Sequence, residues 1–81
     1  MIKVYVLKSE DNDIFYVGMT EDIERRLKEH NKGKSKFTKA YMPWVLLYSE
    51  EFSDYTTARV REKYFKTNAG KNWLRKNNHI E

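Results

Sequence analysis

The sequence predicts a small α/β (α+β) fold, in which a three-stranded sheet carries flanking helices in the order β-β-α-β-α-α. Two short segments of alternating β-branched and aromatic residues flank a cluster of turn-forming residues near the amino terminus. A third short apolar segment lies in the middle of the chain, with helical patterns before and after it. Eighty-one residues suffice for one hydrophobic core, so we expect a single domain over residues 1–81.

The first two strands are expected at residues 2–7 and 14–17, where strand-forming side chains alternate. Residues 10–13 between them are acidic residues and asparagine, which favour turns and predict a β-hairpin. The segment WVLLY at residues 44–48 is too short for an independent helix and rich in strand formers. We predict that it is a central strand with both faces covered.

The first helix is expected at about residues 21–31. Thr20 can cap its amino end, and Asn31 with Gly33 can close its carboxyl end. Side chains of this type satisfy the backbone groups that the first and last turns of a helix leave unpaired. The capping residues therefore set the expected bounds of this helix.

Two more helices are expected after the third strand. Ser53 can cap one at roughly residues 54–67, and a shorter helix is expected from Gly70 to Arg75. Residues 32–39 hold four lysines and a glycine without periodicity, which predicts a basic loop.

The composition excludes several classes of site. The chain has no cysteine, which rules out disulfides, zinc ribbons, thiol nucleophiles and iron–sulfur ligation. With two histidines, any metal site must depend on carboxylates. Sixteen Lys and Arg against twelve Asp and Glu give a net charge of +4, which favours phosphate-bearing partners but would also simply keep a small protein soluble.

The same composition bears on location. No apolar run approaches the ~20 residues that a membrane span requires, and the amino terminus lacks the pattern of a signal peptide. We therefore expect a soluble, cytoplasmic protein with no membrane partner.

The first helix carries two basic side chains beside its apolar stripe. On a helical wheel Ile23 and Leu27 form the buried stripe, and Arg26 and His30 lie four residues apart along its margin. Two cations on one edge would attract an anion. The alternative is a solvated edge, in which the stem of Arg26 lies along the apolar surface.

The second helix places a carboxylate within its apolar arc. Three side chains share that arc: Tyr55, Ala58 and Phe65. Glu62 falls in the middle of it, and a buried carboxylate requires a cation, a metal or several donors. The alternative is a slightly rotated helix, in which Glu62 pairs in solvent with Arg59 or Lys66.

Two tyrosines of the hairpin lie at comparable distances from its turn. Tyr5 and Tyr16 can be neighbours on adjacent strands, although the register decides whether they share a face. Two hydroxyls on one face could hold a water or a phosphate oxygen. Gly18 follows the second strand and would let a ligand or backbone approach closely.

In this order the motifs resemble the GIY-YIG nucleases, which include homing endonucleases, the amino-terminal domain of bacterial excision-repair nuclease and small stand-alone proteins. The matching segments are Lys3-Val4-Tyr5, Tyr16-Val17-Gly18, DIERRL at residues 22–27 with His30, and Arg61-Glu62-Lys63-Tyr64. Lys3 stands where the first triplet would have its glycine. The late asparagine common in the family is Asn68, Asn72 or neither.

The resemblance implies a metal-dependent endonuclease with one Mg²⁺ or Mn²⁺ bound by Glu62. It also implies that Tyr5 orients or deprotonates the attacking water, that Tyr16 binds the water or the phosphate, and that Arg26 and His30 stabilise the scissile phosphate. For Tyr5 to act as a base, Arg26 and the metal must lower its pKa from the ordinary value of about 10.

The implied substrate is DNA, with RNA as an alternative and DNA repair as one setting. Four lysines of the basic segment would contact phosphates: Lys32, Lys34, Lys36 and Lys39. Because no element for direct base readout is evident, substrate choice would come from nucleic-acid structure or from a protein partner.

Two other functions compete with nuclease activity. The first is a non-catalytic nucleic-acid-binding module of the same fold. The second is a protein-interaction domain with an exposed aromatic patch of Trp44, Trp73, Tyr41 and Phe37, although core packing is the preferred interpretation of the two tryptophans.

Overall fold

The computed structural model describes residues 1–78 and residue 80, so residues 79 and 81 of the expected domain lie outside the described part. The elements, in chain order, are β1 (Ile2–Ser9), β2 (Phe15–Thr20), α1 (Ile23–Asn31), α2 (Lys36–Lys39), β3 (Trp44–Phe52), α3 (Tyr55–Phe65) and α4 (Asn68–Asn77). The predicted fold class and order are confirmed. The segment predicted as a basic loop differs, because it contains the short helix α2.

The three strands form an antiparallel sheet in the order β2-β1-β3. The prediction of a central strand at residues 44–48 is therefore wrong, since β1 is central and β3 lies at an edge. Val45 and Leu46 are 40% and 43% exposed. A short apolar run predicts a strand but does not say whether another strand pairs with each of its edges.

Alternation along β1 builds a core on each face of the sheet. Ile2, Val4 and Val6 pack with buried side chains of α3 and α4, including Phe65 and Leu74. On the opposite face, Tyr5 and Leu7 of β1 pack with Trp44 and with residues of α1. The sheet therefore lies between two helical layers.

The amino-terminal caps differ from the predicted ones by one residue or more. The Asp22 side chain accepts the Arg25 N–H (3.0 Å), so α1 is capped by Asp22, while Thr20 ends β2. The Asp54 side chain in turn caps α3 through the Thr57 N–H (2.8 Å), one residue after Ser53. In both cases a carboxylate one or two residues after the predicted hydroxyl caps the helix, because a negative charge is favourable at the positive end of the helix dipole.

The last helix begins earlier than predicted because Thr67, not a residue near Gly70, caps it. Gly70 lies inside α4 and allows close packing on α3. A Cβ on Gly70 would lie 2.0 Å from the carbonyl oxygen of Tyr64. Gly70 therefore marks a close contact between α3 and α4, whereas we had expected it to start a helix.

The carboxyl end of α1 lies at residue 31 and is followed by Gly33, as expected, but Asn31 has a different role. Asn31 is the last residue of α1, Lys32 is the C-cap, and Gly33 follows with φ +76°. The Asn31 side chain bonds the Trp44 backbone, donating to its carbonyl oxygen (3.0 Å) and accepting from its N–H (2.7 Å). Asn31 therefore joins α1 to β3, while Gly33 supplies the left-handed turn that follows the helix.

The proposed aromatic interaction patch does not form as a unit. Trp44 is 2% exposed and Trp73 packs against the core of the α3–α4 face, which confirms core packing for both tryptophans. Tyr41 is half-buried, whereas Phe37 is 51% exposed. Within residues 1–78 and 80, no helix is long and apolar enough to cross a membrane.

Candidate active site

The register of β1 and β2 places the two tyrosines on one face of the sheet. Tyr5 lies opposite Gly18, and Leu7 lies opposite Tyr16. The two phenol rings are therefore diagonal neighbours, with centroids 6.2 Å apart. The sequence alone did not say whether the two tyrosines share a face, because that depends on the strand register. The register in the structure places them on the same face.

Gly18 provides the space that the Tyr5 phenol occupies. A Cβ on Gly18 would lie 2.6 Å from the Tyr5 hydroxyl and 2.8 Å from Cζ. Tyr5 is 1% exposed, so its ring has little room to move aside. Glycine is required here for a side chain of the same protein, rather than for a ligand or a backbone segment.

His30 lies behind the two tyrosines. It is 1% exposed, its Nε2 is 3.1 Å from the Tyr5 hydroxyl, and its ring centroid is 4.6 Å from that of Tyr16. Burial, and then the nearby Arg26 charge, lower the pKa of His30 below its ordinary value. The expectation of two exposed cations on one edge of the first helix is therefore wrong, because His30 is buried and its neutral form is favoured.

Arg26 is the cation that the cluster presents to solvent. Its guanidinium pairs with Glu29 at 2.8 Å, and its side chain is 34% exposed. The Glu29 carboxylate, followed by the Tyr5 hydroxyl, raises the pKa of Arg26, so its charge is permanent. Sequence reasoning missed Glu29, although its position three residues after Arg26 could have indicated the pair.

The pKa of Tyr5 departs from expectation. Burial raises it, and although the Arg26 guanidinium beside the phenol lowers it, the net direction is upward. The requirement that neighbouring cations depress this pKa is not met by the protein's own residues. Tyr5 is therefore a neutral phenol near neutral pH.

Glu62 combines features of both interpretations of its helix. Its carboxylate pairs with Arg59 (3.5 Å) and with Lys66 (3.4 Å), as the solvent alternative requires. Its side chain is nevertheless only 14% exposed. Tyr55, which was placed on the buried arc, is 57% exposed, whereas Ala58 and Phe65 are buried as expected.

Glu62 lines a cleft of about 280 Å³ at the β2 edge of the sheet. The other lining residues come from β2, α2, α3 and α4: Phe15, Tyr16, Val17, Phe37, Lys66 and Lys71. Tyr16 therefore belongs both to this cleft and to the cluster of Tyr5 and His30. Tyr16 lies in the edge strand β2. The Glu62 carboxylate on the α3 side of the sheet and the Tyr5–His30 pair on the α1 side both lie beside this strand.

The donor set fits a divalent cation only in part. In the described part of the chain, no group of three or more His, Cys, Asp or Glu side chains could hold a metal. Mg²⁺ is commonly held by one or two carboxylates together with waters and substrate phosphates. The Glu62 carboxylate therefore fits a site that the phosphate of a bound substrate would complete.

The remaining candidate residues lie around the cleft. Four lysines surround α2 and are exposed: Lys32, Lys34, Lys36 and Lys39. The candidates for the late asparagine, Asn68 and Asn72, are also exposed, and both lie in α4. Lys71, which sequence reasoning did not select, lines the cleft from the same helix.

A family model described as the GIY-YIG catalytic domain matches residues 1–78. The chain belongs to the GIY-YIG family. Its relatives include proteins named UPF0213. The match spans nearly the whole chain and confirms the family to which the motifs point.

Two UPF0213 proteins illustrate the similarity. The chain is 45% identical to one from Staphylococcus haemolyticus over 65 residues, which are 79% of this chain and 78% of that protein. It is 44% identical to YazA of Bacillus subtilis over 63 residues, which are 76% of this chain but only 63% of YazA. The solution NMR structure of a UPF0213 protein from Bacillus halodurans matches with a TM-score of 0.55 and 32% identity, covering 91% of this chain and 82% of the other.

Proposed function

We propose that this GIY-YIG domain is a metal-dependent endonuclease that hydrolyses phosphodiester bonds in DNA with little sequence readout. The observation that carries the proposal is the position of Tyr16, which joins the Tyr5–His30 pair to the cleft lined by Glu62. Hydrolysis needs an activated water, neutralisation of charge on the phosphoryl oxygens, and assistance to the leaving oxygen. The cluster contains a residue suited to each of these tasks.

The Tyr5–His30 pair offers a path for the proton of the attacking water. Arg26 lies beside the Tyr5 phenol, and its guanidinium can only donate hydrogen bonds. With neutral His30 protonated at Nδ1, its Nε2 accepts the Tyr5 proton in this proposal. As the water oxygen bonds to phosphorus and the bond from phosphorus to the leaving sugar oxygen breaks, Tyr5 takes the water proton and passes its own to His30. This path needs no lowered pKa at Tyr5, because the imidazole takes the charge.

The burial of His30 changes the role that the resemblance implies for it. The His30 ring is buried behind the two tyrosines, with its Nε2 3.1 Å from the Tyr5 hydroxyl, so His30 acts in this proposal as the hydrogen-bond partner of Tyr5. Arg26, which is part-exposed and permanently charged, contacts the phosphoryl oxygens. Tyr16 faces the cleft and orients the water or the phosphate.

Glu62 is the residue that would hold the divalent cation, Mg²⁺ or Mn²⁺. When bound there, the ion would supply neutralisation of phosphate charge and assistance to the leaving oxygen. The pairing of Glu62 with Arg59 and Lys66 restricts the orientation of its carboxylate at the cleft.

Two substitutions test the proposal. Glu62→Ala removes the metal ligand and Arg26→Ala removes the phosphate contact, so each should reduce metal-dependent nicking of DNA by at least ~100-fold. Because both side chains are at least partly exposed and their ion pairs contribute little, we expect the free energy of unfolding to change by no more than about 1 kcal/mol. Nicking of supercoiled plasmid and urea unfolding measure the two effects.

Matched controls come from exposed neighbours on α1. Glu24→Ala and Arg25→Ala remove the same charges from side chains outside the cluster, and both should nick DNA at the normal rate. Normal nicking by the Glu62 and Arg26 variants would refute the assignment of the site.

A non-catalytic nucleic-acid-binding module is the second candidate, and one observation favours it. Arg59 and Lys66 already balance the charge of Glu62, as they would if no metal bound there. Binding of DNA without cleavage in either Mg²⁺ or Mn²⁺ would establish the module and reject the nuclease.

A further inference from the structure

Phe37 is a large apolar side chain that the fold leaves in solvent. It is 51% exposed, yet it lines the same cleft as Glu62 and Tyr16. Its ring centroid lies 5.4 Å from that of Tyr41 and 6.3 Å from that of Tyr16. The cleft therefore has an aromatic wall, and Phe37, its exposed ring, belongs to neither core.

The position of Phe37 is set by buried contacts of the residues beside it. Thr38 is fully buried, and its carbonyl oxygen accepts the indole N–H of Trp44 at 2.8 Å. Trp44 is itself held by two hydrogen bonds to the Asn31 side chain. The helix α2 is thus fastened to α1 and β3, so the exposure of Phe37 is a property of the fold rather than of a loose end.

The surroundings of this aromatic wall are cationic. Exposed lysines flank Phe37 on both sides in the sequence, and two more lysines line the cleft: Lys66 and Lys71. An occupant that presents a flat apolar group together with negative charge would complement such a surface. A nucleobase with its phosphate has this combination, and bases stack on aromatic side chains in many strand-binding proteins.

We propose that Phe37 is a stacking platform for an unpaired nucleobase next to the phosphate in the cleft, so that the preferred substrate has a single-stranded or unpaired segment there. The inference rests on the proposed function and specifies its substrate class. In a duplex each base is already stacked and paired, so its face is not open to Phe37 unless the base leaves the helix. A cleft of about 280 Å³ is also near the lower limit of ligand sites, a size that suits a single nucleotide unit.

The test measures binding in the absence of divalent metal, so that it does not depend on catalysis. The probes are a fluorescein-labelled single-stranded oligonucleotide, a duplex of the same sequence, and an abasic oligonucleotide with the same number of phosphates. We expect the protein to bind the single strand at least ~5-fold more tightly than the other two. Phe37→Ala should weaken single-strand binding by about 5- to 100-fold and leave duplex binding within about 2-fold.

Variants of matched exposure separate stacking from loss of structure. Phe37→Trp should restore single-strand binding, whereas Phe37→Leu should behave like Phe37→Ala, because only the former has an aromatic face. Tyr55→Ala removes an aromatic side chain of similar exposure (57%) from the start of α3 and should bind as the unmodified protein does. Thermal unfolding verifies that each variant is folded.

The outcomes distinguish this inference from the proposed function. If Phe37→Ala weakens single-strand and duplex binding equally, or leaves both unchanged, the stacking platform is rejected while DNA binding stands. If the unmodified protein binds none of the three probes at low salt, both proposals fail, and Phe37 belongs instead to a surface for a protein partner.

Discussion

At the scale of the residue, the Tyr5 phenol occupies the space that a side chain at position 18, opposite it in the hairpin, would fill. Gly18 leaves that space, and His30 and Tyr16 surround the phenol from the other directions. Tyr5 is 1% exposed, so the surrounding side chains fix the position of its hydroxyl. The position of this candidate group thus depends on the absence of one methyl group.

Gly18→Ala tests this dependence. The added Cβ would lie within 3.0 Å of three Tyr5 atoms, so the phenol must move, at a cost of about 1–3 kcal/mol in the free energy of unfolding. Displacing the hydroxyl from His30 should also reduce nicking far more than the loss of stability explains. Urea unfolding and a nicking assay on the same preparation measure both effects.

Gly33→Ala is the control for the Gly18 substitution. Gly33 has φ +76°, so alanine there should destabilise the fold by about 1–2 kcal/mol without reaching Tyr5. If the two variants lose activity to the same extent, the loss comes from general destabilisation and not from movement of the phenol.

At the scale of the element, α3 is held on the sheet by a charged pair beside Glu62. Arg61 makes two hydrogen bonds to Glu50 of β3 (2.8 and 3.0 Å), and its guanidinium lies over the rings of Phe65 and Trp73. Bidentate pairs of this kind restrict orientation as well as distance. Because Glu62 is the next residue of α3, the pair also limits where its carboxylate points.

The basic segment around α2 leads to a prediction about salt. If its lysines contact phosphates, the affinity for DNA should fall steeply as salt rises. Replacing Lys32, Lys34 and Lys36 by Gln should make the slope of log K against log salt shallower by about 2–3. Lys39 is left in place because its stem packs against Gly33.

The matched control removes the same charge elsewhere. Lys28, Lys63 and Lys76 are exposed on α1, α3 and α4, and their replacement by Gln should change the slope by less than about 1. Fluorescence anisotropy at a series of salt concentrations measures the slope for each triple variant. Equal slopes would show that the basic segment has no special part in phosphate contact.

At the scale of the whole molecule, the candidate site depends on both helical layers at once. α1 brings Arg26 and His30 to one face of the sheet, and α3 brings Glu62 from the other layer to the β2 edge. The phosphate of a substrate would connect the two. Metal binding without substrate should accordingly be weak, because Glu62 is the only carboxylate assigned to the site.

Removal of metal should therefore affect activity and stability differently. A chelator should abolish nicking but shift the unfolding temperature by no more than about 1 °C, because a weakly bound ligand adds little to stability. Calorimetric scans with Mg²⁺ and with chelator provide the measurement. A large decrease in the unfolding temperature on chelation would instead reveal a metal centre built by the protein alone.

Local pattern predicted much of the fold and part of the site. Alternating side chains placed the hairpin, a short apolar run placed the third strand, and spacing along the first helix put Arg26 and His30 on a common edge. Glu62 was noticed because it interrupts an apolar arc. These features depend on neighbours within about four residues, where backbone geometry alone relates the side chains.

What pattern could not supply was the environment of each group. Glu29 escaped notice because an exposed acidic residue on a helix is common, and the expected charge of His30 was wrong because its burial was not visible in the sequence. The edge position of β3 was missed for the same reason, since strand order is set by pairing between distant segments.

The sequence by itself determined the hairpin, the helices α1, α3 and α4, the family motifs and the identity of the candidate groups, because each of these depends on residues close together along the chain. Only the tertiary structure decided that both tyrosines share a face, that His30 is buried beside Tyr5, and that Glu62 and Phe37 line one cleft. The physical reason is that ionisation and contact depend on burial and on neighbours that folding brings from distant parts of the chain.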